Sequence, residues 1–415
     1  MLKKRFPALC LTLFLFSGCA LQTEAAFLKE VPLNNSTKAI PVSDEIRSAV
    51  FDMTRELTKD YFNTSQAANQ IFSPLSLWYA LGVLREGANG TTLDELNRMM
   101  KLKETFNSGA IIPELSKTLN FMEPTKLAKD SGQRGIRLSN GIFFEKKYRK
   151  NIKDSYLDKA ASLWGTESAA VDFTDQLETG QLIRDWVSRK TNGFIPNYEA
   201  TFSSDGSAIL NIYNVLHLKD QWINPFAELG DQVFNTPTGP VTVPFMGRLQ
   251  VADKYNETPT YQAAAFTGET GIRVWFILPT AGEDPLDLIA GLEDVLNNGE
   301  AQFLDFKAPV LDIGGENLSL KKLLMDKGYP LIFSSGDFSK MLSGMTASVS
   351  DIKQQTKLMM DRSGFEAAAV TEINLTKAGM PGDPIPFSLD RPYLLVIEYQ
   401  DLPLFVAHIT DPTKK

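Results

Sequence analysis

The stretch Gly364-Phe365-Glu366-Ala367-Ala368-Ala369-Val370-Thr371-Glu372-Ile373-Asn374-Leu375-Thr376-Lys377-Ala378-Gly379 decides the fold. Taken every second residue, Phe365, Ala367, Ala369, Thr371, Ile373 and Leu375 are nearly all apolar or small. The other set, Glu366, Ala368, Val370, Glu372, Asn374 and Thr376, is mostly polar. A period of two is a strand with one buried face. Two features oppose a resident strand. The Ala-Ala-Ala run lacks β-branched and aromatic side chains. The chain that follows, Lys377 to Pro386, holds three prolines and two glycines, the composition of exposed, turning chain. Alanine also favours helix, so the run alone leaves that reading open, although a helix would gather Glu372, Ile373, Asn374 and Leu375 on no clean face. The pattern predicts a segment that is a loop in one state and a strand in another.

Working outward, 415 residues at 43% hydrophobic can bury a large core. A net charge of −8 and a pI near 5.1, with both signs interspersed, exclude a nucleic-acid surface. The first residues follow the layout of an export signal. Met1-Leu2-Lys3-Lys4-Arg5 is basic, Leu9 to Phe16 is apolar, and the stretch is too short to span a membrane in its own right. Phe16-Ser17-Gly18-Cys19 resembles a bacterial lipoprotein box, in which Cys19 is lipidated and becomes the mature N-terminus. Residues 1–18 are then the signal, and the protein is an envelope lipoprotein outside the cytoplasm. Ordinary secretion, with cleavage near Ala25 or Ala26, is the alternative. Cys10 lies inside the signal, so no disulfide forms in the folded part. Residues 19–43, polar and small, read as a flexible tether.

The folded region begins with an amphipathic helix from Ser43 to Lys59, capped by Ser43 or Asp44, with Val50, Phe51, Met53 and Leu57 inward. Asn69-Gln70-Ile71-Phe72 is a short strand running into Pro74, which suits the first turn of a buried helix over Leu75–Arg85. After Gly87-Ala88-Asn89-Gly90, Thr91 or Thr92 is expected to cap a further helix through Met100.

Asn69 to Ser76 and Gly87 to Leu96 closely resemble the start of a serpin, and the resemblance continues in order. It runs through Leu138-Ser139-Asn140-Gly141-Ile142-Phe143, Val171-Asp172-Phe173, Asp185 to Gly193 and Leu210 to Trp222. It closes with Phe387-Ser388-Leu389-Asp390-Arg391-Pro392-Tyr393, Leu404-Phe405-Val406-Ala407-His408 and Asp411-Pro412. It covers residues 44–413 in register. The resemblance implies one α+β domain with three β-sheets, one of them large, eight or nine helices and an exposed reactive-centre loop over about 364–386. It implies a monomer without cofactor or metal that is not an enzyme but a suicide inhibitor of serine proteases. A protease cuts the loop, and the freed segment enters the large sheet with the acyl-enzyme attached. Fourteen residues at ~3.3 Å each span ~46 Å. A dozen or so new ladder bonds at ~0.5–1.5 kcal/mol net make the uncleaved state metastable.

The resemblance also assigns sites. Arg362, Ser363, Gly364, Phe365, Glu366, Ala367, Ala368, Ala369, Val370 and Thr371 form the hinge. Ser73, Ser76, Asn214, Trp222 and Gln354 belong to the sheet-opening region. Family spacing counts fourteen residues from Gly364 to Ala378 and fourteen more to Pro392, so the reactive bond is Ala378–Gly379, with Lys377–Ala378 as the alternative. A small Ala378 fits the shallow pocket of elastase-like or subtilisin-like proteases first, and Lys377 a trypsin-like one second.

Four positions depart from inhibitory members. Phe365 stands where a small residue is usual, and its ring needs room on entering the sheet. Arg362 and Val310 replace the usual Glu–Lys clamp, and Gln354 replaces a His beneath the sheet. These keep open a non-inhibitory carrier that is cut without trapping. A hydrolase has little support. His217 and His408 sit among apolar neighbours in expected strands, and G-x-S-x-G, H-E-x-x-H, P-loop and dinucleotide patterns are absent.

Overall fold

The computed structural model describes residues 27–29, 41–65, 67–124, 133–205, 207–314, 318–354, 356–365 and 383–414. Its helices are α1 (Asp44–Thr64), α2 (Pro74–Gly87), α3 (Gly90–Met99), α4 (Ser108–Thr118), α5 (Asp154–Trp164), α6 (Gln176–Lys190), α7 (Leu292–Asn297), α8 (Lys321–Asp326) and α9 (Leu331–Ser334). The first strands are β1 (Phe27–Lys29), β2 (Asn69–Phe72), β3 (Asn120–Pro124), β4 (Gln133–Glu145), β5 (Thr166–Val171) and β6 (Leu210–Gln221). Then come β7 (Ala227–Thr236), β8 (Gly239–Glu257), β9 (Tyr261–Thr267), β10 (Arg273–Pro279), β11 (Glu300–Pro309), β12 (Leu311–Gly314) and β13 (Leu318–Ser319). The last are β14 (Lys353–Gln354), β15 (Lys357–Met360), β16 (Gly364–Phe365), β17 (Ile385–Ser388), β18 (Tyr393–Tyr399) and β19 (Leu402–Ile409).

Local chemistry accounts for the helix starts, with one correction. The Ser43 hydroxyl accepts from the Ile46 amide at 3.4 Å, and Asp44 and Glu45 face the positive end of α1. The Ser73 hydroxyl accepts from the Ser76 amide at 3.2 Å, with Pro74 in the first turn of α2. For α3 the expected threonine cap does not form. Asn89 occupies the cap position without a side-chain bond. The Thr92 hydroxyl instead accepts from the Asp337 amide at 2.8 Å, tying α3 to a distant loop.

The strands form three sheets. The first has the order β1-β5-β4-β6-β16-β15-β12, with β3 also on β4. The second runs β17-β11-β8-β9-β10-β18-β19-β2, with β7 also on β8, and β13 pairs β14. The expected one large and two small sheets are thus distributed differently. At 19 residues, β8 pairs β7 and β11 along one part and β9 along another, so two sheets become one of nine strands. The main core lies between this sheet, the inner face of the first sheet and α1 and α2. A second cluster lies under α6 on the first sheet's outer face, where Trp186 packs on Phe143 at 5.8 Å.

Part of the stretch read as a tether is also ordered. Phe27–Lys29 pairs antiparallel with β5 at the sheet edge, with Lys29 Nζ 2.7 Å from the Asp158 carboxylate and the Arg189 guanidinium 5.5 Å from the Phe27 ring.

Candidate functional site: a parted pair of strands

The first sheet is closed at one end only. Among the described residues, β6 and β15 are joined solely through β16, where Gly364 pairs Gln221, and Phe365 pairs both Asp220 and Met360. All three strands run antiparallel to their neighbours. The chain reverses from β15 into β16 in a tight turn built by Asp361. The Asp361 carboxylate accepts from the Ser363 amide at 2.7 Å and the Gly364 amide at 3.2 Å, and the Asp361 amide donates to the Gly364 carbonyl at 2.9 Å. Burial pushes this carboxyl above the usual range while the two amides pull it back. Glycine is required at 364, because a Cβ there would collide with the Asp220 carbonyl.

Phe365 is fully buried, so its ring already has a seat in the sheet before any further loop residue enters. Its ring meets Trp222 edge-on at 5.1 Å, and Trp222 meets Phe226 at 5.3 Å. The column continues through Phe306 at 5.0 Å to Phe387 at 5.9 Å. Phe387 lies in β17, on the far side of residues 366–382, so one aromatic column seats both ends of that stretch. Trp222 is fixed in turn, since its indole N–H donates to the Asp361 carbonyl at 2.8 Å and its amide to the Ser363 carbonyl at 3.0 Å.

Beyond Phe365 the strands part over a cavity of about 40 Å³, whose lining includes Ser76, Asn214, Leu216, Gln354, Thr356 and Leu358. Three of the sequence-assigned residues meet here. Gln354 grips Ser73, accepting from its amide at 2.7 Å and donating to its carbonyl at 3.0 Å. The Ser73 hydroxyl donates to the Leu404 carbonyl at 2.6 Å. Gln354 therefore ties the strand to α2 and the second sheet without a histidine. The Asn214 amide nitrogen donates to Asn140 on β4 at 2.7 Å. Trp222 belongs to the hinge seat rather than to this cavity.

Sequence reasoning missed the cover. Phe194, just past α6, has its ring 5.9 Å from His217 on β6 and 4.8 Å from the Lys357 ammonium on β15. It bridges the parted strands from outside. No residue-type signal marks it, because its role depends on where the α6 exit crosses the sheet. Asp220 and Asp361 were missed as well, being common acids whose task is set by backbone geometry.

The remaining assignments resolve as follows. Arg362 contributes its carbonyl, which accepts from Phe226 at 2.8 Å, and the absent Glu–Lys clamp is replaced by the Asp361 turn. His217 lies buried in β6, and His408 lies half-buried in β19 with Nδ1 3.2 Å from Gln70. Cys19, hinge residues 366–371 and the bond between Ala378 and Gly379, with its Lys377 alternative, fall outside the described residues.

A family model described as serine protease inhibitor matches residues 48–412. The chain belongs to the serpin family. Alpha-1-antiproteinase 2 of Equus caballus is 26% identical to this serpin over 416 residues, covering 96% of this chain and 93% of that protein. In solved structures, native-state tengpin, a thermophilic serpin, covers 93% of this chain and 99% of its own, with a TM-score of 0.78 and 20% identity. Thyroxine-binding globulin in complex with thyroxine covers 89% and 99%, with a TM-score of 0.75 and 21% identity. These two likenesses describe the fold of this serpin. Serpins are typically protease inhibitors.

Proposed function

We propose that this serpin is an inhibitor that traps serine proteases by inserting its cleaved loop between β6 and β15. The observation that carries this reading is the parted pair of strands with the first two loop residues already paired into the opening. Continuing that antiparallel register from Phe365 sets Ala367 beside Leu218 and Leu358. Ala369 falls beside Leu216 and Thr356, and Thr371 beside Asn214 and Gln354. These flanking residues line the cavity, which is narrow and takes small side chains. On the outer face, Glu366 falls beside Lys219, and Ala368, a single methyl, falls beside His217 and Lys357 under the Phe194 cover. The side chains of the segment and the shape of the opening agree position by position, as a segment destined to become a strand requires.

The protease supplies the nucleophile, and the inhibitor supplies the Ala378–Gly379 bond, with Lys377–Ala378 as the secondary cut. The partners are elastase-like or subtilisin-like enzymes first and trypsin-like ones second. The signal pattern and Cys19 add a lipid anchor that holds the protein in the cell envelope, outside the cytoplasm, with secretion as the alternative. Heating before and after loop cleavage tests insertion. An inserting loop raises the melting temperature sharply, whereas an unchanged melting temperature would mark a carrier that is cut without trapping.

A further inference from the structure

Strands β8, β11 and β17 lie side by side where the described chain resumes at Asp383, and their outer face is apolar. Leu304, Phe306 and Phe387 are fully buried and point inward, so the residues between them point out. Leu249 pairs Asp305, Asp305 pairs Pro386, and Val251 pairs Phe303. Continuing the β11–β17 register by one residue sets Pro384 beside Phe303. Among these outward side chains only Asp305 is polar, and its carboxylate is held by Lys307 at 2.9 Å. Leu249 is 48% exposed and Val251 41%. A sheet face open to water ordinarily carries polar side chains, and a contiguous exposed apolar face marks a contact surface.

The position of this face says what covers it. The row of Val251, Phe303 and Pro384 is the one at the loop exit, just before β17 begins at Ile385. From Gly379 to Asp383 the chain advances only a few residues, a span of at most ~14 Å at ~3.6 Å each. A protease domain of roughly 230 residues has a radius of gyration of ~17 Å. A protease bound at the Ala378–Gly379 bond is therefore wider than the chain that separates it from the face. The rim of its cleft that holds the leaving chain lies over β17 and its neighbours.

We infer that the face formed by Leu249, Val251, Phe303 and Pro384 is a second contact for the target serine protease, taken by an apolar rim beside its active-site cleft. The inference rests on the reading of Ala378–Gly379 as the bond that is cut. The contact holds the protease beside the loop before cutting and takes no part in the insertion that follows. Because Lys307 already answers Asp305, the centre of the face offers apolar area rather than charge.

The test uses full-length protein with pancreatic elastase, subtilisin and trypsin as probes. The second-order rate of loop cutting, with trapped and freed products counted together, is measured for three proteins. These are wild type, the double variant Leu249→Asn with Val251→Asn, and Leu177→Asn, a control 85% exposed on α6. Both residues of the double variant are exposed, so polar replacement leaves the fold intact. With the protease that cuts wild type fastest, the double variant should be cut at least about fivefold more slowly, and the control at the wild-type rate. The share of cut molecules held in complex should not change, because insertion starts at Phe365. Equal rates for wild type and the double variant overturn the inference and leave the inhibitory reading standing. So does a wild type that sediments as a dimer beside a monomeric double variant, which makes the face a contact between copies. Cutting without a covalent complex removes the inhibitory reading, while the rate comparison still decides this one. No cutting beside Ala378 by any of the three proteases overturns the bond assignment and this inference with it.

Discussion

The Phe365 ring stands edge-on to the Trp222 indole, centroids 5.1 Å apart, and is wholly buried. A side chain that reads in sequence as an obstacle is thus the part of the loop already installed. In sequence, Phe365→Thr is expected to raise the fraction of protease trapped. With the ring seated, we expect the reverse. Emptying a phenylalanine site costs ~3–5 kcal/mol and frees a hinge that is now pre-paired. The uncleaved variant should melt at lower temperature, and its ratio of complex to cleaved inhibitor on a denaturing gel should fall. An unchanged or higher ratio would show that the seat does not assist insertion.

Thr371 is expected to fall between Asn214 and Gln354 on the inner face once inserted. Thr371→Arg would bury an unpaired charge there, at a cost of several kcal/mol. Cleavage should proceed at the wild-type rate, but complex formation should drop at least about tenfold, and cleavage should raise the melting temperature less than in wild type. Normal trapping would break the register assignment.

The hinge seat should respond to pH through Asp220, the partner of Phe365. Burial raises its pKa from 3.8 to about 6, against donation from the Thr270 amide at 3.0 Å and the Thr270 hydroxyl at 2.7 Å. A carboxyl with a raised folded-state pKa binds its proton more tightly folded than unfolded. Its contribution to stability is fully present below the unfolded pKa of 3.8 and is lost as pH rises through about 6. Asp361 is also raised by burial, so the comparison must isolate Asp220. The melting temperature of wild type relative to Asp220→Asn should fall between pH 4 and 6.5, roughly the window set by these pKa values. A flat difference would contradict this.

The proposed anchoring through Cys19 is tested by removing the thiol. Cys19→Ala should move the protein from the membrane fraction to the soluble one. If fractionation does not change, secretion with cleavage near Ala25 or Ala26 is the better account.

Much of the fold is written in local chemistry. Ser43 and Ser73 begin their helices as short hydroxyl side chains before apolar runs should, and alternation carries Phe365 inward. What sequence hides is chemistry that exists only after distant chain meets. Thr92 is a good cap residue, drawn off by Asp337. Gln354 replaces the expected histidine because an amide can both accept from and donate to the Ser73 backbone. Phe194 is one aromatic among many until α6 carries it over the parted strands. The strap of Phe27 to Lys29 is too short to carry a period and owes its order to the open edge of β5.

In the proposed inhibitory cycle the loop is cut and then becomes a strand with the protease attached. The most direct measurement is incubation with an elastase-like protease, followed by a denaturing gel and mass spectrometry of the product. The expected result is a covalent complex stable to denaturant, with release of a C-terminal fragment that begins at Gly379, or at Ala378 for a trypsin-like enzyme. A fragment starting elsewhere would contradict the bond assignment, and cleavage without a covalent complex for any protease tried would contradict inhibition itself.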